Sequence, residues 1–229
     1  MIRAIPIEKI SYAVILLLTS VSIKEKMMIE LLAKSIAAYL YREKVIDDQD
    51  RDLCQYGIEV ILSNATGIII IILMSIWGDC LWQGIVFLML YSTLRIYTGG
   101  YHASTYLKCN IYFAIVFLMT ICSFNIFKYI NLKNVISFLV LLGFLVVGAL
   151  APVENKNKSL SHRDKNIYRK TSIGIYAALM MVLLIGDSID YDGSLFGINM
   201  LYWYDFSLYI KTVLCSIVVL MLCTHRKEN

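Results

Sequence analysis

The chain has 229 residues, of which 59% are apolar and 17% charged, with two prolines and a formal net charge of +4. Soluble domains run at about 45–50% apolar, and a mean hydropathy of +0.69 excludes that class. The apolar residues fall in runs approaching the ~20 residues a helix needs to cross a hydrocarbon core, and none alternates with the period of a barrel strand. The class is therefore all-α: a polytopic membrane protein of about six transmembrane helices with an N-terminal amphipathic interfacial helix. The positive charge needs no nucleic-acid partner, because a basic inner face beside anionic membrane lipid accounts for it.

Residues 1–26 form an N-terminal extension around "ISYAVILLLTSVSI", an apolar run of 14 between basic flanks. It is short for a span and lacks a small-x-small cleavage site. Three readings stay open: a seventh, marginal segment, an interfacial helix, or sequence upstream of a start at Met27 or Met28. Residues 27–229 read as one integral membrane domain. Its first part, "MMIELLAKSIAAYLYREKVI" at 27–46, puts Ile29, Leu32, Ile36, Tyr39 and Leu40 on one face and Lys34, Arg42 and Glu43 off it. That spacing predicts an amphipathic helix lying on the inner leaflet. The acidic "DDQDRD" at 47–52 supplies cap and first-turn carboxylates to the next helix.

Six spans follow, at 58–77, 80–97, 111–127, 135–151, 172–187 and 206–223. Lys and Arg counted in short loops set their orientation. Eight precede residue 58, six lie in 152–171, Lys108 follows Arg95 in the 98–110 region, and Arg226 and Lys227 end the chain, whereas 78–79 and 188–205 hold none. This puts both termini and the 98–110 segment in the cytoplasm, with Lys128 and Lys133 in the 128–134 connection as the one misfit. Pro152 marks the end of the fourth span and opens the longest basic loop, which contains His162 as a solvated loop histidine; His225 lies on the C-terminal tail.

The six cysteines, at 54, 80, 109, 122, 215 and 223, contain no CxxC pair. Neither a metal site nor a disulfide framework is expected, and no cofactor is expected either. Cys122, Cys215 and Cys223 fall in spans, where a cysteine serves as a small apolar filler.

The stretch "LRIYTGGYHASTYLKCN", residues 94–110, is different. A thiol becomes a strong nucleophile only when deprotonated, and a histidine within reach both takes that proton and returns one to the leaving amine. His102 and Cys109 supply the two groups. Gly99 and Gly100 break the span at its exit and offer backbone N–H groups to an oxyanion. Arg95 is expensive facing lipid, so it faces protein or the aqueous edge. On one straight helix, residues seven apart rise ~10.5 Å, too far for direct contact. A catalytic pair therefore requires a bend between Gly99 and Cys109, with a new helix capped by Ser104 or Thr105, or a base from a partner subunit. Ser104, Asn110 and Tyr101 are candidates for a group orienting the imidazole.

Arg95, Gly99-Gly100, His102 and Cys109 at the cytoplasmic end of one span, with "APVENKNKSL" at 151–160 after a later one, resemble the AgrB (accessory gene regulator B) family. The resemblance covers 28–229 and leaves the N-terminal extension outside. It implies a membrane-embedded cysteine endopeptidase of bacterial quorum sensing, with His102 and Cys109 as the catalytic pair, Arg95 and Gly100 in support, and Gly99 and Ser104 beside them. It further implies an AgrD-like propeptide substrate with an acidic C-terminal tail, a thiolactone or lactone product, and a homodimer. The basic loop then offers Lys156, Lys158, Arg163 and Lys165 as a dock for that tail, although the same charges serve as a topogenic signal.

Two other classes stand beside this one. Lys211 in mid-span, with Asn64, Asn125 and Gln83 in apolar segments, fits a small transporter or peptide-export component, unless Lys211 snorkels to the interface. A non-catalytic membrane scaffold would need neither His102 nor Cys109. A neighbouring reading frame for a short peptide with a central Cys and an acidic tail would favour the peptidase.

Overall fold

The computed structural model describes residues 26–99, 105–153, 161–188, 194–195 and 198–228. Helix α1 covers 26–42, a 3-10 turn follows at Asp48–Asp50, and then come α2 (Arg51–Trp77), α3 (Leu81–Thr98), α4 (Tyr106–Ile130), α5 (Lys133–Leu150) and α6 (His162–Ser188). A two-residue antiparallel pair, β1 (Ser194–Leu195) and β2 (Ile198–Asn199), precedes α7 (Met200–Glu228). Among the described residues the fold is all-α apart from that pair.

Each expected span overlaps one helix. Four helical stretches are long and apolar enough to cross a membrane by length and composition: Asp48–Trp77, Tyr106–Ile130, His162–Asp187 and Trp203–Arg226. Asn134–Leu150 is a shorter apolar helix, and α3, which carries Gln83 and Arg95, is not among the four. Among the described residues four helices, not the expected six, are long and apolar enough to cross, so the count of six is not confirmed.

Several helices outrun their apolar windows. The loop expected at 152–171 is in large part helix, because α6 starts at His162 with Asp164 in its first turn. Charged residues such as Arg163, Lys165, Arg169 and Lys170 are good helix formers, and Asp164 complements the positive end of the helix dipole. His162 is therefore an exposed helix-start residue, and His225 lies within α7 rather than on a free tail.

The chain divides into two compact units, Met1–Ile70 with Ala103–Ala114 and Ile71–His102 with Ile115–Asn229. In the first unit, α1 buries Ile29, Ala33 and Ala37, one stripe at i, i+4 and i+8. Leu32, Ile36 and Tyr39, expected on the same face as Ile29, point outward. The small alanines mark the protein-facing stripe, and the larger apolar residues remain available to a lipid surface. Asp52 sits in the first turn of α2, as its sequence suggests, while the Asp47 side chain makes no capping bond to the 3-10 turn. Further along, α2 meets α4 at two levels, Glu59 with Tyr106 and Gly67 with Asn110 and Phe113.

In the second unit, α7 is the central element. Of its most apolar window 61% is buried, against 22–28% for the other three full-length helices. Residues Ser207 through Leu214 are all buried, so this stretch has no lipid-facing side. Helices α3, α5 and α6 pack on α7. At one end Trp82 of α3, Phe124 of α4 and Tyr209 of α7 meet edge to face, with centroids 5.2–6.4 Å apart. Most buried polar side chains inside this unit find partners, as a low-dielectric interior demands, whereas Gln83 Oε1, Trp203 Nε1 and the Tyr209 hydroxyl are buried without a hydrogen-bond partner. Ser75 donates to the Ile71 carbonyl, Tyr176 to the Val140 carbonyl on α5, and the Thr120 and Ser216 hydroxyls join α4 to α7 at 2.9 Å.

Candidate functional site

Of the residues singled out in 94–110, Arg95, Gly99, Thr105, Cys109 and Asn110 are described, whereas Gly100, Tyr101, His102 and Ser104 lie outside the described residues. Lys156 and Lys158 of the basic loop lie outside them too. The described members fall in different units, Cys109 in the first and Arg95 and Gly99 in the second.

In the first unit, α4 begins at Tyr106 and Thr105 caps it: the Lys108 N–H donates to Thr105 Oγ1 at 3.3 Å. Lys108 is the third helical residue, the position an N-cap hydroxyl serves. Thr105 rather than Ser104 therefore takes the cap. The Cys109 N–H donates to the Thr105 carbonyl at 3.1 Å, which puts the thiol in the first turn of the helix. Its side chain is half-buried, and all six cysteines are free thiols. Asn110, one residue on, is buried against Gly67, where its Oδ1 would lie 3.0 Å from an added Cβ.

In the second unit, α3 ends at Thr98, and Gly99 follows in the left-handed region at φ +75°. A straight helix from Arg95 to Cys109 is excluded, because α3 stops and α4 starts between them. Gly99 pairs with Val153 in a parallel bridge, and the Val153 N–H donates to the Thr98 carbonyl at 2.9 Å. A Cβ at Gly99 would collide with the Val153 carbonyl oxygen. Glycine is needed there twice over, for the backbone angle and for the close approach. The start of the 151–160 stretch thus lies directly against the end of α3. Nothing in the sequence spacing predicts this pairing; it depends on where α5 ends.

Arg95 is half-buried, its guanidinium carbon 5.6 Å from the centroid of the buried Tyr91 ring. The contact meets the requirement that this cation face protein, through the ring's negative face. Two residues further on, Tyr97 of α3 meets Tyr168 of α6 edge to face. Arg163 and Lys165 are exposed on the first turns of α6.

Three comparisons with known proteins bear on this arrangement. Residues 33–224 match the sequence model of a family described as Accessory gene regulator B, AgrB. The chain belongs to the AgrB family. Two relatives described as AgrB-like come from Clostridium perfringens. The one from strain 13 / Type A is 24% identical over 174 residues, covering 72% of this chain and 80% of the relative. The one from strain SM101 / Type A is 23% identical over a stretch of the same length and coverage. No solved structure matches the chain. AgrB membership supports a role in the agr quorum-sensing system, and the long apolar helices make this AgrB-family chain a membrane protein.

The mid-span Lys211 is also accounted for. It does not snorkel: its side chain is 1% exposed and pairs with Asp187 near the end of α6. It also donates to Ser137 Oγ on α5 at 2.9 Å, while Ser207 donates to the second Asp187 oxygen at 3.0 Å. Sequence reasoning noticed the lysine and missed its partner. The signal was present, since Asp187 is the carboxylate closing an otherwise apolar segment. The Lys128 misfit has an analogous answer, a 2.7 Å ion pair with Asp205 from the acidic 188–205 segment.

Proposed function

We propose that this AgrB-family protein is a cysteine endopeptidase that removes the C-terminal tail of an AgrD-like propeptide at the cytoplasmic face of the bacterial cell membrane and supports its cyclisation. His102 takes the Cys109 thiol proton as Sγ attacks the carbonyl carbon of the bond before the tail. Arg95, Gly99, Gly100 and Ser104 support the site, and backbone N–H groups near the glycines meet the developing oxyanion. The C–N bond breaks, His102 returns the proton to the leaving amine, and the retained peptide is held on Cys109 as a thioester. A thiol or hydroxyl of the same peptide then attacks that thioester, a C–S or C–O bond closes the ring, and Cys109 leaves with its proton restored.

The energetics favour this order. Exchange of one thioester for another is nearly balanced, and tethering makes the ring closure intramolecular. Forming a thioester from an amide is uphill, so departure of the tail draws the first step forward. Lys156, Lys158, Arg163 and Lys165 form the dock for an acidic tail, with charge steering its approach.

The observation that carries this reading is the half-buried Cys109 thiol in the Thr105-capped first turn of α4, within a chain of the AgrB family. The test is co-expression with the propeptide of a neighbouring reading frame, followed by mass spectrometry of membranes and medium. A tail fragment and a cyclic peptide one water lighter than the cleaved linear form are expected with wild type and with neither Cys109→Ala nor His102→Ala. An intact propeptide with all three proteins would overturn it.

A further inference from the structure

Cys109 lies on a turn of α4 that is fixed on both sides. Tyr106, three residues before it, donates its hydroxyl to Glu59 Oε2 of α2 at 2.8 Å. Glu59 accepts a second bond, from Gln55 Nε2 one turn back on α2, at 3.0 Å through Oε1. Asn110, the residue after Cys109, is 5% exposed and packs against Gly67 of α2 together with Phe113. Tyr106, Asn110 and Phe113 recur at i, i+4 and i+7 and so form one face of α4, with Cys109 on its flank.

A glutamate in an apolar helix is costly unless its lone pairs are met. Glu59 meets that cost with two neutral donors, one of them on the helix that carries the thiol. Gly67 serves the same contact from the other side. With no side chain it lets α4 approach until Asn110 Oδ1 and Phe113 Cδ1 would stand 3.0 Å and 3.3 Å from a Cβ. All these residues belong to the first unit.

We infer that Glu59 and Tyr106, with Gly67, are positioning residues that hold the Cys109 turn of α4 at a fixed place and angle on α2. A nucleophile must meet its carbonyl within a few tenths of an ångström, and a misplacement of ~1 Å costs on the order of 100-fold in rate. A hydrogen bond on one side of the thiol and close packing on the other supply that restraint. The kinetic part of the inference rests on the peptidase reading; the structural part does not.

The experiment separates the two. The full chain, with the other five cysteines replaced by alanine, is labelled with a nitroxide at Cys109 in lipid vesicles and its motion read by electron paramagnetic resonance. Tyr106→Phe, Glu59→Ala and Gly67→Ala are expected to sharpen the spectrum as the turn loosens. Glu59→Gln, which keeps an acceptor for the Tyr106 hydroxyl, is expected to retain the wild-type line shape. In parallel, unlabelled variants with native cysteines process a synthetic propeptide in vesicles. The first three variants are expected to lose roughly 10–100-fold in kcat with KM changed less than about twofold, and Glu59→Gln to recover most of the rate. Line shapes indistinguishable from wild type across all four variants would overturn the inference, as would loosened spectra with kcat unchanged. If wild type itself leaves the propeptide intact, the peptidase reading falls, and the spectra alone decide whether Glu59 and Tyr106 order the turn.

Discussion

Lys211 of α7 and Asp187 of α6 form an ion pair inside the second unit, with Ser137 and Ser207 completing their hydrogen bonds. Breaking such a pair from one side leaves a charge that the apolar surroundings cannot solvate, whereas replacing both partners removes the cost. Asp187→Leu is expected to destabilise the protein by about 3–5 kcal/mol, and Lys211→Met with Asp187→Leu to recover most of that. Thermal unfolding in detergent measures both. A double variant no more stable than the single one would contradict the explanation.

The Lys128–Asp205 pair is a different case, because its side chains are 47% and 29% exposed. Water screens both ions and side-chain entropy opposes holding them together, so Lys128→Ala should change stability by less than about 1 kcal/mol. The same unfolding measurement checks it, and the contrast with Asp187→Leu tests burial as the deciding variable.

Gly99→Ala should be among the most damaging single-methyl changes in the chain. The new Cβ meets the Val153 main chain, and φ +75° is strained for alanine. Relaxing the clash separates the end of α3 from 151–153, at an expected cost of about 1–3 kcal/mol with loss of propeptide processing. Gly148→Ala, where no atom lies within 4 Å of the added Cβ, is the control and should leave both unchanged.

Thr105→Ala removes the hydroxyl that accepts the Lys108 N–H. A cost of about 0.5–2 kcal/mol is expected, with Thr105→Ser close to wild type. Hydrogen exchange at the first amides of α4 reads the fraying directly, and unchanged protection in Thr105→Ala would show that the cap contributes little.

Orientation is testable at Tyr129, which is 92% exposed at the end of α4 beside the Lys128–Asp205 pair. In a background without native cysteines, a membrane-impermeant maleimide should label Tyr129→Cys on intact cells and His162→Cys only after lysis. The reverse pattern would invert the topology, which rests on the distribution of Lys and Arg among the loops.

Much of this architecture is written in one dimension. Apolar runs too long for a soluble domain set the class and the approximate place of each long helix, because the hydrocarbon core demands a minimum length and satisfied backbone polar groups. Gly99 marked the end of α3, and "HAST" marked the start of α4, because cap chemistry is local. The 94–110 stretch stood out for the same reason: its Arg, Gly, His and Cys are close in the chain, and their chemistry is legible from residue type alone.

Contacts between distant segments were not legible. The Val153 bridge to Gly99, the Asp187 partner of Lys211 and the Glu59 partner of Tyr106 join residues 24 to 54 positions apart. Spacing carries no signal at that range. On α1, periodicity named an apolar face, yet packing selected the Ala33 and Ala37 stripe, because close approach rewards small side chains over large ones. The sequence by itself determined the solvent this protein lives in and the chemistry of its most reactive stretch, since both depend on residue type and local order. Only the tertiary structure decided which charge is neutralised, which glycine is crowded and which turn of helix is held still, since those depend on what a second helix brings to the same place.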